Sequence, residues 1–171
     1  WNVNSLKVRL PHLLDWLAAA QPDVVALQEI KLIDADFPYA QIEQAGYRAQ
    51  VSGQKTYNGV ALLTRGEAFD PVRDIPGFDD PQRRVLAATC GDMRIVDLYV
   101  VNGQEVGSEK FAYKLAWLAA LREWLAGELQ RYPNLVVLGN FNIAPDDRDV
   151  YDPSAWHEQI LCSSAERAAL R

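Results

Sequence analysis

Histidine and sulfur are scarce in this chain, with 2 His, 2 Cys and 1 Met among 171 residues. Cys90 and Cys162 stand in no CxxC or Cys/His spacing, so they specify neither a zinc site nor a disulfide framework, and two buried free thiols are expected. His12 and His157 lack any partner motif, and there is no Gly-x-Ser-x-Gly elbow or phosphate-binding P-loop, so serine hydrolases and nucleotide kinases drop out. Excess positive charge is also missing. A net charge of -6 and a pI near 4.9 argue against a polycation that coats phosphate backbones by bulk attraction, so any nucleic-acid contact must be local or metal-assisted. No apolar run approaches the roughly 20 residues of a membrane-spanning helix, and no basic-then-apolar leader is seen; a cytoplasmic protein without a membrane partner is expected. The chain opens on Trp1 without an initiator Met and stops at Arg171 inside a helical pattern, which reads as a piece of a longer protein.

What is present is ordinary core-forming material. A hydrophobic fraction of 49% with 23% charge predicts one globular domain over 1–171; a monomer with no obligate protein partner is the default expectation, not one that the composition dictates. Trp1 to Leu6 alternates like a half-buried strand, Leu10, Leu13, Leu14 and Leu17 recur at helical spacing with Pro11 at the start, and Val24 to Leu27 is a continuous apolar run. Together they predict an opening strand–helix–strand unit with a parallel strand buried on both faces. A short helix is expected from Phe37 to Gly46 and a strand from Tyr47 to Val51. Asn58-Gly59 predicts a tight hairpin into Val60 to Leu63, and Gly91-Asp92 a second between Val85–Ala88 and Arg94–Val101. Ser108 is placed to cap a long helix whose inward stripe includes Leu115, Leu118, Leu121, Trp124, Leu125 and Leu129. Leu135 to Leu138 reads as another buried parallel strand, and the whole as an α/β sandwich with mixed sheets.

Ligands of open α/β sheets bind beyond the carboxyl ends of strands. Polar residues collect at four such ends: Asn2 and Asn4, Gln28-Glu29, Tyr99 with Asn102, and Asn140 with Asn142. Glu29 is a carboxylate near amide side chains, a donor set suited to a hard cation; the plainer reading is a surface residue capping the next turn. Asn140 equally suits a structural hydrogen-bonding role. Asp146, Asp147, Asp149 and Asp152 lack the Gly and terminal Glu of a calcium loop, so a solvated, helix-capping loop is expected there.

The ordered motifs resemble bacterial exonuclease III and the wider endonuclease/exonuclease/phosphatase superfamily. Trp1 to Asn4 resembles the first motif, Pro22 to Glu29 the second, and Gly53 through Leu63 the third. Tyr99 to Gly103 resembles Tyr-x-Pro-Asn-Gly, and Gly139 to Pro145 resembles Gly-Asp-Phe-Asn-Ile-x-Pro. The resemblance implies a four-layer α/β/β/α sandwich, here lacking its first residues and its C-terminal strands, with another metal-site Asp and an Asp-His pair in the missing part. It implies a DNA-repair nuclease using Mg²⁺, or Mn²⁺, on double-stranded DNA with 3′ ends or abasic sites. Glu29 and Asn2 would serve the metal, Tyr99 and Asn142 the scissile phosphate, and Arg83, Arg84 and Asn102 the DNA. For the arginines, a surface pair on a strand edge is the competing explanation. Asn140 stands where the motif has the water-activating Asp, and an amide cannot accept that proton. Val101 replaces the motif proline. An inactive nuclease is therefore expected; the alternatives are a catalytically dead binder of DNA ends or abasic sites, and a superfamily phosphodiesterase on a non-DNA substrate.

Overall fold

Leucines at helical spacing build the first element: α1 runs Leu6–Ala20 and buries Leu6, Leu13 and Leu17. It begins earlier than Leu10, so Pro11 lies inside it rather than at its start, and the Pro11 position contributes no N–H to the ladder. The computed structural model describes residues 1–171. It comprises two compact units, Trp1–Tyr99 with Glu128–Asn140, and Val100–Gly127 with Phe141–Arg171.

The first unit holds two sheets. One has the order β1-β3-β2, formed by β1 (Val24–Gln28), β2 (Arg48–Ser52) and β3 (Val60–Thr64). Its outer face packs Val25, Leu27, Val51, Ala61 and Leu63 against α1 and against Ile42 of α2 (Tyr39–Gln44). Its inner face turns Ala26, Val60 and Leu62 toward Leu86, Ala88 and Ile95 of the other sheet. This two-sided covering explains the unbroken apolar run of β1, which pairs antiparallel to β3 and not in the expected parallel ladder. The expected strand–helix–strand unit shrinks to one parallel bridge, Asn2 to Gln28, with Val3 N–H donating to the Gln28 carbonyl at 2.9 Å. Hence this sheet is antiparallel, and only the second sheet is mixed.

The second sheet has the order β4-β5-β6-β7: β4 Ala68–Arg73, β5 Val85–Cys90, β6 Met93–Tyr99 and β7 Leu135–Asn140. Strands β5 and β6 form the expected two-residue hairpin, with Gly91 at φ 61 in the first central position, where a type II′ turn needs a left-handed residue. Asn58 and Gly59 also take positive φ, 52 and 84, but they close a connection over 53–59 between β2 and β3 that is longer than a tight turn. Strand β7 is parallel to β6 as expected, yet half-exposed, because it ends the sheet order; Val136 is 39% exposed. Strand β4 escaped the sequence pattern. It is the opposite edge, interrupted by Pro71 and a register shift between Phe69 and Val72, devices that protect an edge from further pairing.

Ser108 caps α3 (Glu109–Arg131) through the Phe111 N–H at 3.1 Å, as expected. The buried stripe of α3 differs from the expected one. Leu129 is 56% exposed, whereas Lys114 and Glu128 are buried and ion-paired. In the second unit, α4 (Ser164–Leu170) starts with a Ser163/Glu166 capping box. Both cysteines are free, with Cys162 buried and Cys90 only half-buried at the β5 end. No helix is long and apolar enough to cross a membrane.

Candidate functional site

The end of β1 is built from strained backbone. Asn4, Ser5, Glu29, Lys31 and Asn58 all have positive φ, and such non-glycine residues persist only where surrounding contacts over-determine them, at on the order of 1–3 kcal/mol each. Those contacts are visible: Ser5 N–H donates to the Glu29 carbonyl at 2.8 Å, Leu6 N–H to Ile30 at 3.0 Å, and Ile30 N–H to Gly59 at 3.1 Å. The result turns the Glu29 side chain out at the strand end. The Asn2 amide donates to Glu29 Oε1 at 2.9 Å, while Asn2 Oδ1 accepts the Asn4 N–H at 3.1 Å, so Asn2 is fixed from both ends.

Two further groups converge on Glu29. Lys31 Nζ lies 3.1 Å from Oε2, and the Tyr99 hydroxyl donates to the carboxylate from β6. Burial by itself would raise the Glu29 carboxyl; the hydrogen bonds from Asn2, Tyr99 and Lys31, with the Lys31 charge, outweigh it and hold the group below the ordinary value. The Tyr99 phenol moves the other way, pushed up to about 12 by burial and by the adjacent Glu29 carboxylate, so it remains a donor. Asn140 closes β7 as the ladder partner of Tyr99. Asn2, Glu29, Tyr99 and Asn140, drawn from four separate motifs, thus come together at the carboxyl ends of β1, β6 and β7.

Arg84 supports Tyr99. Its guanidinium carbon sits 4.7 Å from the ring centroid, Nη1 donates to the Tyr99 carbonyl at 3.2 Å, and Nε and Nη2 grip Gln82 Oε1 at 3.0 and 2.7 Å. Gln82 Oε1 also accepts from Asn58 at 3.2 Å. Arg84 is buried and spent on these contacts. Arg83 is the accessible member of the pair, with its side chain 43% exposed and ion-paired to Asp74.

No three His, Cys, Asp or Glu side chains gather anywhere in a metal-binding cluster. A single ionised carboxylate still suits Mg²⁺, which keeps several waters and relies on one or two carboxylates plus a substrate phosphate. The Lys31 ammonium against Glu29 marks the spot as one where positive charge is welcome. Lys31 was not singled out in the sequence, and neither was Asp97. The latter is fully buried between the sheets, accepts from Gln28 Nε2 at 2.7 Å, and leaves Oδ2 without a partner. Burial pushes its carboxyl well above the ordinary range. An Asp two residues before Tyr99 on alternating β6 signalled this inward position.

Asn102 and Asn142 belong to the second unit. Asn102 Oδ1 accepts the Gln104 N–H at 3.1 Å, and Asn142 Nδ2 donates to the Val100 carbonyl at 2.8 Å. The acidic run is a capped turn, as expected: Asp146 accepts from Arg148 N–H at 3.0 Å, and Arg167 pairs with Asp147 at 2.8 Å.

Comparison with known proteins gives the chain's relatives. The Endonuclease/Exonuclease/phosphatase family profile matches residues 1–159. Exodeoxyribonuclease III of Haemophilus influenzae is 36% identical over 88% of this chain and 58% of its own length. Among solved structures, the 3′ phosphatase NExo from Neisseria, an aspartate-to-asparagine variant bound to product DNA hairpin, is 51% identical with a TM-score of 0.98, covering 99% of this chain and 66% of that one. An AP endonuclease from Archaeoglobus fulgidus is 31% identical with a TM-score of 0.91, covering 98% and 65%. The chain therefore spans somewhat under two thirds of the length of these relatives. It belongs to the endonuclease/exonuclease/phosphatase family.

Proposed function

We propose that this chain carries the site of a Mg²⁺-dependent DNA-repair nuclease in which the water-activating carboxylate is replaced by Asn140. The observation that carries it is Glu29, ionised at the mouth of β1, gripped by Asn2 and Tyr99, with Asn140 facing Tyr99 across the β6·β7 ladder. Glu29, oriented by Asn2, would hold Mg²⁺, with Mn²⁺ as a substitute. When bound, the ion polarises a phosphoryl oxygen and offsets the charge of the five-coordinate transition state. Tyr99 keeps its proton, which goes to Glu29 here and would turn to a phosphate oxygen once a bound cation takes up the carboxylate; Arg84 braces its ring.

Asn140 has the shape of the expected aspartate but cannot take a proton from water at neutral pH, and loss of one general base costs roughly 10²- to 10⁴-fold. The substrate class is DNA bearing a 3′ terminus, a 3′ phosphate or an abasic site, in keeping with the activities of the relatives named above. Asn102, Asn142 and Arg83 are proposed for phosphate and DNA contact on their motifs alone. The test is a panel of labelled duplexes with a 3′ phosphate, a recessed 3′ hydroxyl or an abasic site, offered with Mg²⁺ to the full-length protein that contains this chain and to its Asn140→Asp variant. The variant is expected to process at least one of them. Turnover of a soluble phosphomonoester in preference to every duplex would move the function outside DNA repair.

A further inference from the structure

The second unit contains a buried ion pair unconnected with any role described so far. Lys114, on α3, and Glu166, on α4, both have fully buried side chains and bond to each other. Neither has an unused hydrogen-bonding position. Lys114 Nζ gives one N–H to Glu166, one to the Asn102 carbonyl at 3.0 Å and one to the Asn142 carbonyl at 2.7 Å. Glu166 Oε1 also accepts the Leu161 N–H at 3.1 Å, and Oε2 accepts the Ser163 N–H and hydroxyl at 3.2 and 2.6 Å.

Buried ion pairs are poor stabilisers in general, because desolvation offsets the attraction and an apolar pair of similar volume often does as well. An apolar pair could not satisfy two main-chain carbonyls. The carbonyls chosen are those of Asn102 and Asn142, the two residues of this unit that the motifs assign to DNA and phosphate. A second link joins the same segments, since Asn142 Nδ2 donates to the Val100 carbonyl at 2.8 Å. Gly103 suits the fit: its φ of +91 is strained for any other residue, and a Cβ there would press on Lys114 Cδ at 2.9 Å and Ile160 Cδ1 at 3.0 Å.

We propose that Lys114 is a positioning residue that locks the Asn102 and Asn142 segments into one arrangement, with Glu166 holding its ammonium in place. The proposal rests on the nuclease function for its purpose, but not for its geometry. Preorganised amides lose less entropy on meeting a phosphate, and displacements of about 1 Å in such groups can cost roughly 10²-fold in rate.

The experiment compares Lys114→Met with the charge-neutral double variant Lys114→Met/Glu166→Gln, each in the Asn140→Asp form of the full-length protein that contains this chain. Thermal stability, amide hydrogen exchange and DNA cleavage are read together. The double variant is expected to recover most of the stability lost by Lys114→Met, since no lone charge is left buried. Exchange at Gln104 and Ala144 is expected to stay at least about tenfold faster than in the parent, while β5 and β6 keep their protection, and kcat to stay roughly 10- to 100-fold down with KM changed less. Recovery of slow exchange and kcat along with stability would overturn the proposal and leave the pair a structural ion pair. Uniformly raised exchange, or a double variant that fails to fold, would overturn it too. If the Asn140→Asp parent cleaves no DNA, the nuclease function fails, and the exchange at Gln104 and Ala144 still decides the clamp.

Discussion

Replacing Asp97 by asparagine should stabilise the protein at neutral pH and do almost nothing in acid. Asp97 is fully buried between the sheets, with Gln28 on one oxygen and no partner on the other. Burial raises its carboxyl well above the ordinary value, although the Gln28 hydrogen bond pulls the other way. A carboxyl raised in the folded state favours folding fully below its unfolded value and loses that advantage as pH climbs toward the folded value. Asparagine has the same shape and no charge to desolvate. The stability difference, variant minus parent, should therefore be near zero around pH 3.5, rise by about 1.4 kcal/mol per pH unit above roughly pH 4, and level off at the folded pKa. Urea unfolding at half-unit pH intervals reads this directly, and each 1 kcal/mol corresponds to about 2–4 °C in melting temperature for a chain of this size. A difference that stays flat from pH 4 to 8 would refute the reasoning, since Asp97 would then have the same affinity for its proton folded and unfolded.

Arg94→Met should cost roughly 3–5 kcal/mol, because it strands Glu128, which Arg94 Nε now meets at 2.7 Å in a dry setting; denaturant unfolding checks this, and Arg94→Met/Glu128→Leu should regain most of the loss. Gly139→Ala should destabilise by roughly 3 kcal/mol or more, since its Cβ would fall 1.9 Å from the Leu98 carbonyl oxygen in a backbone at φ +145; an unchanged urea midpoint would be the contrary outcome. Tyr99→Phe removes one of the hydrogen bonds that lower the Glu29 carboxyl, so the Glu29 titration followed by carboxyl carbon NMR should move upward; no movement would show that Asn2 and Lys31 alone set it.

Most of the first unit was legible because its strands follow simple patterns. The Gly91-Asp92 turn, the β2 and β3 strands and the leucine face of α1 are local signals, and the structure realises them. Pairing direction was not legible at β1: Val25 and Leu27 face one core and Ala26 the other, so the run is apolar whichever way its neighbour points. β4 was invisible because an edge strand is shielded by Pro71, a residue that argues against strand. The charged members of the α3 stripe, Lys114 and Glu128, were hidden because a burial pattern read by polarity assigns them to solvent, and only their distant partners Glu166 and Arg94 reverse this. At the candidate site, the motif residues Asn2, Glu29, Tyr99 and Asn140 could be named from the sequence. Lys31 on Glu29 and Arg84 on Tyr99 could not, since the first depends on the positive-φ backbone at both residues and the second on side-chain geometry between the start of β5 and the end of β6.

The most direct measurement of the central claim is single-turnover cleavage of a 3′-phosphate or abasic duplex by three forms of the full-length protein that contains this chain: unaltered, Asn140→Asp, and Asn140→Asp/Glu29→Gln, each with Mg²⁺ and with chelator. Cleavage by Asn140→Asp alone, only with Mg²⁺ and at least roughly 10²-fold above the unaltered protein, is the predicted result. Equal cleavage with and without Glu29, or none by Asn140→Asp, would contradict the assignment of these residues as a nuclease site.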